Sequence, residues 1–256
     1  MPWLLILILL VLAAGLALLR LGTRWGSTPE ERARSLPGDE YFTGTSPSPL
    51  RMTRAITIAA PPSEVWPWIA QLGRGAGWYS IDLLDNGGRT SARHIVSWIP
   101  EPRLGDATTI GYLRHLDPER ALAWWVDGVR FAGASARLVT AFTVQAQGQG
   151  SRLISRMSAD AAGPAAPFAL GIFRILDSIM ACRQLVGIRG RVESQPSVQS
   201  NFAGGESGAR DQYQAYEILY AEGDRAGIKG EEDGARWRQR AVEDGVITSA
   251  GKPAKH

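Results

Sequence analysis

The sequence predicts an α+β domain: a curved antiparallel sheet wrapped on one long C-terminal helix, preceded by a single transmembrane helix. Three observations carry this expectation. Trp3 to Leu19 is apolar without a single charge. Strand and helix signals are segregated along the chain rather than alternating, which argues against a doubly wound sheet. Phe168 to about Glu193 repeats apolar residues at helical spacing: Phe168, Ile172, Ile175, Leu176, Ile179, Cys182 and Val186.

In chain order, residues 1–25 form the expected anchor. At 1.5 Å per residue, the 22 steps from Trp3 to Trp25 rise about 33 Å, matching a hydrocarbon core of roughly 30 Å. The two tryptophans sit where an interfacial aromatic belt places them. A cleaved signal peptide fits less well, because no positive n-region precedes the run and no clean small-x-small site follows it. Arg20, Arg24, Arg32 and Arg34 follow the run and none precedes it, so the positive-inside rule puts the rest of the chain in the cytoplasm.

Residues 26–51, with Pro29, Pro37, Pro47 and Pro49, read as a linker holding at most a helical turn at Pro29–Arg34. The expected domain spans residues 52–196. Met52–Ala59 is a half-buried strand. Pro61-Pro62-Ser63-Glu64 opens a helix through Trp66, Trp68 and Leu72, in which Pro67 either lies in a late first turn or introduces a kink. Gly77–Asn86 reads as a second short helix, stopped by Gly87 and Gly88. Extended pieces follow near Thr108–Arg114 and Ala121–Val126. Ala136–Gln147 and Ser151–Ala159, joined by Gly148-Gln149-Gly150, form the best hairpin. After Gly163, Pro164 and Pro167 comes the long helix, whose stripe of Phe168, Ile172, Ile175, Ile179 and Val186 is expected to face the concave sheet. Residues 197–256 read as a flexible or partly helical tail without a second core.

Composition excludes several classes. The chain has 256 residues, one cysteine (Cys182) and three histidines. It therefore holds no intramolecular disulfide, and a multi-cysteine zinc site or histidine-built metal centre is not expected. The net charge is +3, carried by 25 arginines and three lysines scattered along the chain. Such a distribution gives no nucleic-acid footprint. Gly73-Arg-Gly-Ala-Gly77 follows a helix rather than a strand, so it reads as a connection and not a dinucleotide loop. No cofactor and no metal are expected.

Three stretches resemble the SRPBCC (START-like, helix-grip) superfamily, and within it the bacterial, membrane-anchored branch related to polyketide cyclases and dehydrases. The first is Arg54-Ala-Ile-Thr-Ile-Ala-Ala-Pro-Pro-Ser-Glu-Val-Trp-Pro-Trp-Ile-Ala-Gln-Leu-Gly73, similar to the family's opening strand and helix. The second is Gly77-Trp-Tyr-Ser-Ile-Asp82 with Asn86. The third is Arg183-Gln-Leu-Val-Gly-Ile-Arg-Gly-Arg-Val-Glu193, similar to the end of its C-terminal helix. The resemblance implies a helix-grip fold and a cavity for a hydrophobic small molecule or lipid. It implies no catalytic set, because the superfamily has none in common.

Six of the nine tryptophans fall between Trp66 and Trp125. Core packing accounts for some, yet a bend between sheet and helix leaves room for a pocket. The residues expected to line it are Trp66, Trp78, Tyr79, Trp98, Trp124, Trp125, Phe142, Phe168, Ile172, Ile175 and Ile179. The leading expectation is a membrane-anchored domain that binds or transports a hydrophobic small molecule or lipid. One alternative is a cyclase- or dehydratase-type enzyme in the same cavity, with Asp82, His94 or His115 as acid or base and Asp85 and Glu101 as further carboxylates. Another is a membrane-bound interaction scaffold without ligand, whose cavity is filled by its own side chains. Ser80 has no Gly-x-Ser-x-Gly setting and suggests no hydrolase.

Overall fold

The computed structural model describes residues 3, 6, 15, 19–45, 49–96, 99–108, 111–194 and 239–248. Five antiparallel strands form one sheet: β1 Leu50–Ile58, β2 Tyr112–Asp117, β3 Ala121–Phe131, β4 Ala134–Gln147 and β5 Gly150–Ala162. Their order is β1-β5-β4-β3-β2. The hairpin read from Gly148-Gln149-Gly150 is β4–β5, paired from Ser135↔Ala162 to Gln147↔Gly150. The helical segments include α1 Pro29–Ala33, α2 Pro62–Ala70, α3 Asp82–Asp85 and α4 Ala166–Ser194. Strands and long helix therefore stand in the segregated α+β order, with α4 packed on one face of the sheet.

The main core lies between that face, α2 and the C-terminal half of α4. Ile56, Ile58, Trp66, Trp68, Trp124, Phe142, Leu153, Leu185, Ile188 and Val192 are buried together. Pro67 lies inside α2 rather than at its start. This is the reading with a helix-interior proline, which forfeits one backbone hydrogen bond.

The stretch expected as a linker is instead a strap docked on the opposite face. Thr28 and Glu31 form a capping box at the start of α1. Glu31 then pairs with Arg152 Nε at 2.7 Å, while Arg152 Nη2 donates to the Gly26 carbonyl. Arg156, buried on the same face, donates to the carbonyls of Glu31, Arg32 and Arg34 and to Asp39. Leu36 packs on Ala55 and Ile154. The prolines that suggested a loose linker break regular structure without loosening the segment, because two buried-side arginines satisfy its carbonyls.

Part of the expected tail closes the same face. Residues 239–243 are helical, and Ala241 and Ile247 join Phe42, Tyr112, Trp125 and Val139 in a second apolar cluster. Ala241 and Ile247 are too sparse in the sequence to form a readable stripe, so their place in this cluster is not legible there. Tyr112 Oη bonds to Asp244 at 2.6 Å. Tyr213, Tyr216, Tyr220 and Trp237 lie outside the described residues. With both faces covered, the central strands lose the simple in–out alternation of a half-buried sheet.

Two helical expectations are corrected. Only Asp82–Asp85 of the Gly77–Asn86 stretch is helical, because Gly77 and Tyr79 both adopt positive φ (81° and 58°), which no α-helix accommodates. The large apolar stripe of α4 does not face the sheet. Phe168, Ile175, Leu176, Ile179 and Val186 are exposed, and Ile172 is half-buried. The buried positions are Ala166, Ala169, Asp177, Ser178, Ala181, Gln184, Leu185, Ile188 and Val192. Among the described residues no helix is long and apolar enough to cross a membrane. The run Trp3–Leu19 lies mostly outside them.

Candidate functional site

The three stretches singled out in the sequence meet in space around Tyr79. From the first, Gln71 Nε2 donates to the Tyr79 hydroxyl at 2.5 Å and its Oε1 accepts from the Val96 amide. From the third, Gln184 Nε2 donates to the Trp78 carbonyl at 2.8 Å. Gly187 lies so close that a Cβ there would stand 2.4 Å from the Tyr79 carbonyl oxygen. Only glycine permits that approach. The Arg191 guanidinium sits 4.5 Å from the Tyr79 ring centre and donates to the carbonyls of Ala92 and Gly187. Tyr79 is a non-glycine residue held in the left-handed region, a conformation that persists only where surrounding contacts dictate it.

Beside this knot opens a groove of about 540 Å³. One wall is α4, with Cys182, Arg183, Val186, Gly187 and Arg191. The other is the segment from Tyr79 to Arg93, and Trp25 closes one end. The volume is within the range of small-molecule sites. Its surface combines aromatic and aliphatic carbon with the guanidinium groups of Arg93, Arg183 and Arg191. Asp82 supplies a carboxylate that accepts from the Ser91 hydroxyl at 2.5 Å and the Ser91 amide at 3.1 Å. Burial pushes the neighbouring Asp85 carboxyl above its usual range, and the charge of Asp82 adds to the shift while a Ser80 hydrogen bond opposes it. Burial likewise raises Cys182 and Tyr79, so neither is a ready anion. Among the described residues no cluster of metal-ligating side chains occurs.

A larger hollow, about 720 Å³, is lined by Arg34, His115, Asp117, Glu119, Arg120, Thr143 and Gln145 among others. Its wall holds no aromatic carbocycle; the charged and amide groups share it with Leu36, Pro37, Pro62, Ala121, Val144 and Ala146.

Of the residues expected to line a cavity, the groove takes Tyr79. Trp66, Trp124 and Phe142 are core side chains, and Trp78 packs edge-on against Trp124 with ring centres 6.5 Å apart. Trp124 and Trp125 point to opposite sides of the sheet, as adjacent strand residues must. Trp125 meets Tyr41 and Phe42 on the strap side. Phe168, Ile175 and Ile179 are exposed, Ile172 is half-buried, and Trp98 lies outside the described residues. The acid–base candidates are dispersed. Asp82 borders the groove and His115 borders the hollow on the strap side, while the His94 carbonyl accepts from Gln71. Trp25, Arg93, Arg183, Gly187 and Arg191 were not singled out as lining from the sequence. The signal available was the third stretch itself, whose glycine and arginine spacing follows one helix face.

The family model described as polyketide cyclase / dehydrase and lipid transport matches residues 49–193, more than half of the chain and the whole of the sheet, α2, α3 and nearly all of α4. No curated protein matches the chain. Among solved structures, protein MLL2253 from Mesorhizobium loti is similar at 14% identity and a TM-score of 0.37, over 57% of this chain and 99% of that one. A START superfamily protein from Mycobacterium smegmatis is similar at 13% identity and a TM-score of 0.37, over 56% and 97%. The di-domain ARO/CYC BexL from the BE-7585A biosynthetic pathway is similar at 13% identity and 0.38, over 58% and 51%.

Proposed function

The chain belongs to the polyketide cyclase / dehydrase and lipid transport family, and from that premise we propose that it is a membrane-anchored domain that binds a hydrophobic small molecule or lipid in the groove beside α4. The observation that carries the reading is the groove itself, which sets the apolar Trp25, Tyr79 and Val186 beside three arginines. This chemistry suits an amphiphile with an anionic head and a hydrocarbon body. Trp3–Leu19 is the anchor, with the domain on the cytoplasmic side. Trp25, six residues past that run, is a wall of the groove and would open the site close to the membrane surface.

Native mass spectrometry of the full chain in detergent tests the reading. Co-purified amphiphile masses are expected on the native protein and are expected to vanish in Val186→Trp, which fills the groove from a half-exposed position. Adducts that persist unchanged in that variant would place the ligand elsewhere.

A cyclase-type reaction in the same groove has one observation in its favour, the Asp82 carboxylate in its lining, since a carboxylate within reach of a ligand can act as acid or base. Turnover lost in Asp82→Asn with ligand binding retained would favour that second reading.

A further inference from the structure

The exposed stripe of α4 meets the groove only at Val186 and has no role in the core. It runs through Phe168, Ile175, Leu176 and Ile179 to Val186, a length of about 27 Å at 1.5 Å per residue. Large apolar side chains repeated on a solvent face are uncommon and mark an interaction surface. What adjoins the stripe identifies its occupant. The helical residues 19–24, which continue from the apolar run, dock onto the middle of α4. A Cβ on Gly22 would stand 2.8 Å from that of Ser178. The Gly22 carbonyl accepts from Arg54 Nε at 2.7 Å and from the Cys182 thiol at 3.7 Å. Leu21, on the same short helix, is 65% exposed. The stripe is therefore continuous with the point where the apolar run leaves the domain. The charges beside it are mainly basic: Arg174 and the exposed Arg183 lie on α4, while Arg189 pairs with Glu193 at 3.9 Å and Arg191 is engaged at Tyr79. The helix's other carboxylate, Asp177, is buried against Arg54 at 2.8 Å.

We propose that the exposed stripe of α4 is a second membrane contact, lying in the headgroup region of the leaflet that the N-terminal run enters. A helix with an apolar face and arginine flanks is built to rest about 5–10 Å into that boundary, with cations on anionic headgroups. The contact rests on the reading of Trp3–Leu19 as a span and adds to it a fixed face of the folded domain. It turns the groove, which shares Cys182, Arg183 and Val186 with this side of α4, toward the lipid.

The test uses the full chain with Cys182→Ala as background, reconstituted into phosphatidylcholine–phosphatidylglycerol vesicles containing a spin-labelled lipid. An environment-sensitive fluorophore is placed singly at Ile179→Cys, at Ile6→Cys in the apolar run, and at Gln149→Cys in the exposed β4–β5 turn. Quenching at residue 179 is expected to exceed that at residue 149 by at least about threefold, as burial among headgroups requires. Quenching at residue 6 with none at 179 overturns the second contact and leaves the anchor standing. Quenching at 179 with none at 6 sustains the contact and overturns the anchor. A fluorophore dark to the quencher at both positions overturns the two together.

Discussion

From Gln184 to Val192, α4 buries Leu185, Ile188 and Val192 against the sheet and α2, whereas from Ala166 to Ala181 the same helix buries Ala169, Asp177, Ser178 and Ala181 and turns its large apolar side chains outward. The difference shows two ways of attaching a helix to a sheet. The C-terminal half is held by apolar burial. The N-terminal half approaches closely through small residues, with Ala166 and Ala169 against Ala134 and Phe173 edge-on to Phe131, and adds one ion pair, Arg54–Asp177, whose arginine is fully buried. Burial pushes the Asp177 carboxyl up, and Arg54 opposes it.

The largest expected effect tests the ionic half. Arg54→Met leaves Asp177 buried without its partner and also frees the Gly22 carbonyl, so it should cost about 3–5 kcal/mol in chemical denaturation. The double variant Arg54→Met/Asp177→Leu should recover most of that loss. If the double variant is no better than the single, the pair is not what attaches this half. On the apolar half, Ile188→Ala should cost about 2–5 kcal/mol by the same measurement, through lost contacts and a cavity.

A smaller effect separates the strap from either half of α4. The Glu31 carboxyl is held below its ordinary value of 4.5, chiefly by its hydrogen bonds with Arg152 and despite its partial burial. A depressed folded value means that its contribution is complete above pH 4.5 and is lost as pH falls through the lower folded value. Glu31→Gln should cost about 0.5–1 kcal/mol at neutral pH and flatten the acid limb of the stability profile. Amide exchange of residues 28–39 reports whether the loss is local. The smallest effect is expected at Ile179→Ala, within about 0.5 kcal/mol in detergent, because an exposed side chain has few partners to lose. A loss there equal to that of Ile188→Ala would erase the distinction between the halves.

Much of the fold was legible because it is written locally. Glycines bound the β4–β5 hairpin, prolines open α2, and apolar spacing marks α4. Which face of α4 packs was not legible. The usual rule sends the large apolar stripe inward, but the inward face here is small and polar, and it is made favourable by Arg54 and Gly22, each more than 100 residues away in sequence. The strap was hidden in the same way: nothing local in Pro29–Asp39 says that Arg152 and Arg156 will satisfy its carbonyls. Of the site, Tyr79 could be named as an aromatic beside glycines. Its positive φ, the close passage of Gly187 and the stacking of Arg191 depend on packing across about 100 residues, and spacing within one segment does not encode that.

The arginine-fastened strap also bears on how much strength any second contact must have. A domain swinging on a flexible tether explores a large volume, and a weak surface must compete against that freedom each time it lands. Here the chain between Gly22 and Asp39 is fastened by Arg54, Arg152 and Arg156. With Trp3–Leu19 in a bilayer, as proposed, the domain would present one face at one height, and the effective local concentration of its target would be set by geometry and not by search. Interactions too feeble to recruit a free protein would then suffice to keep the face occupied.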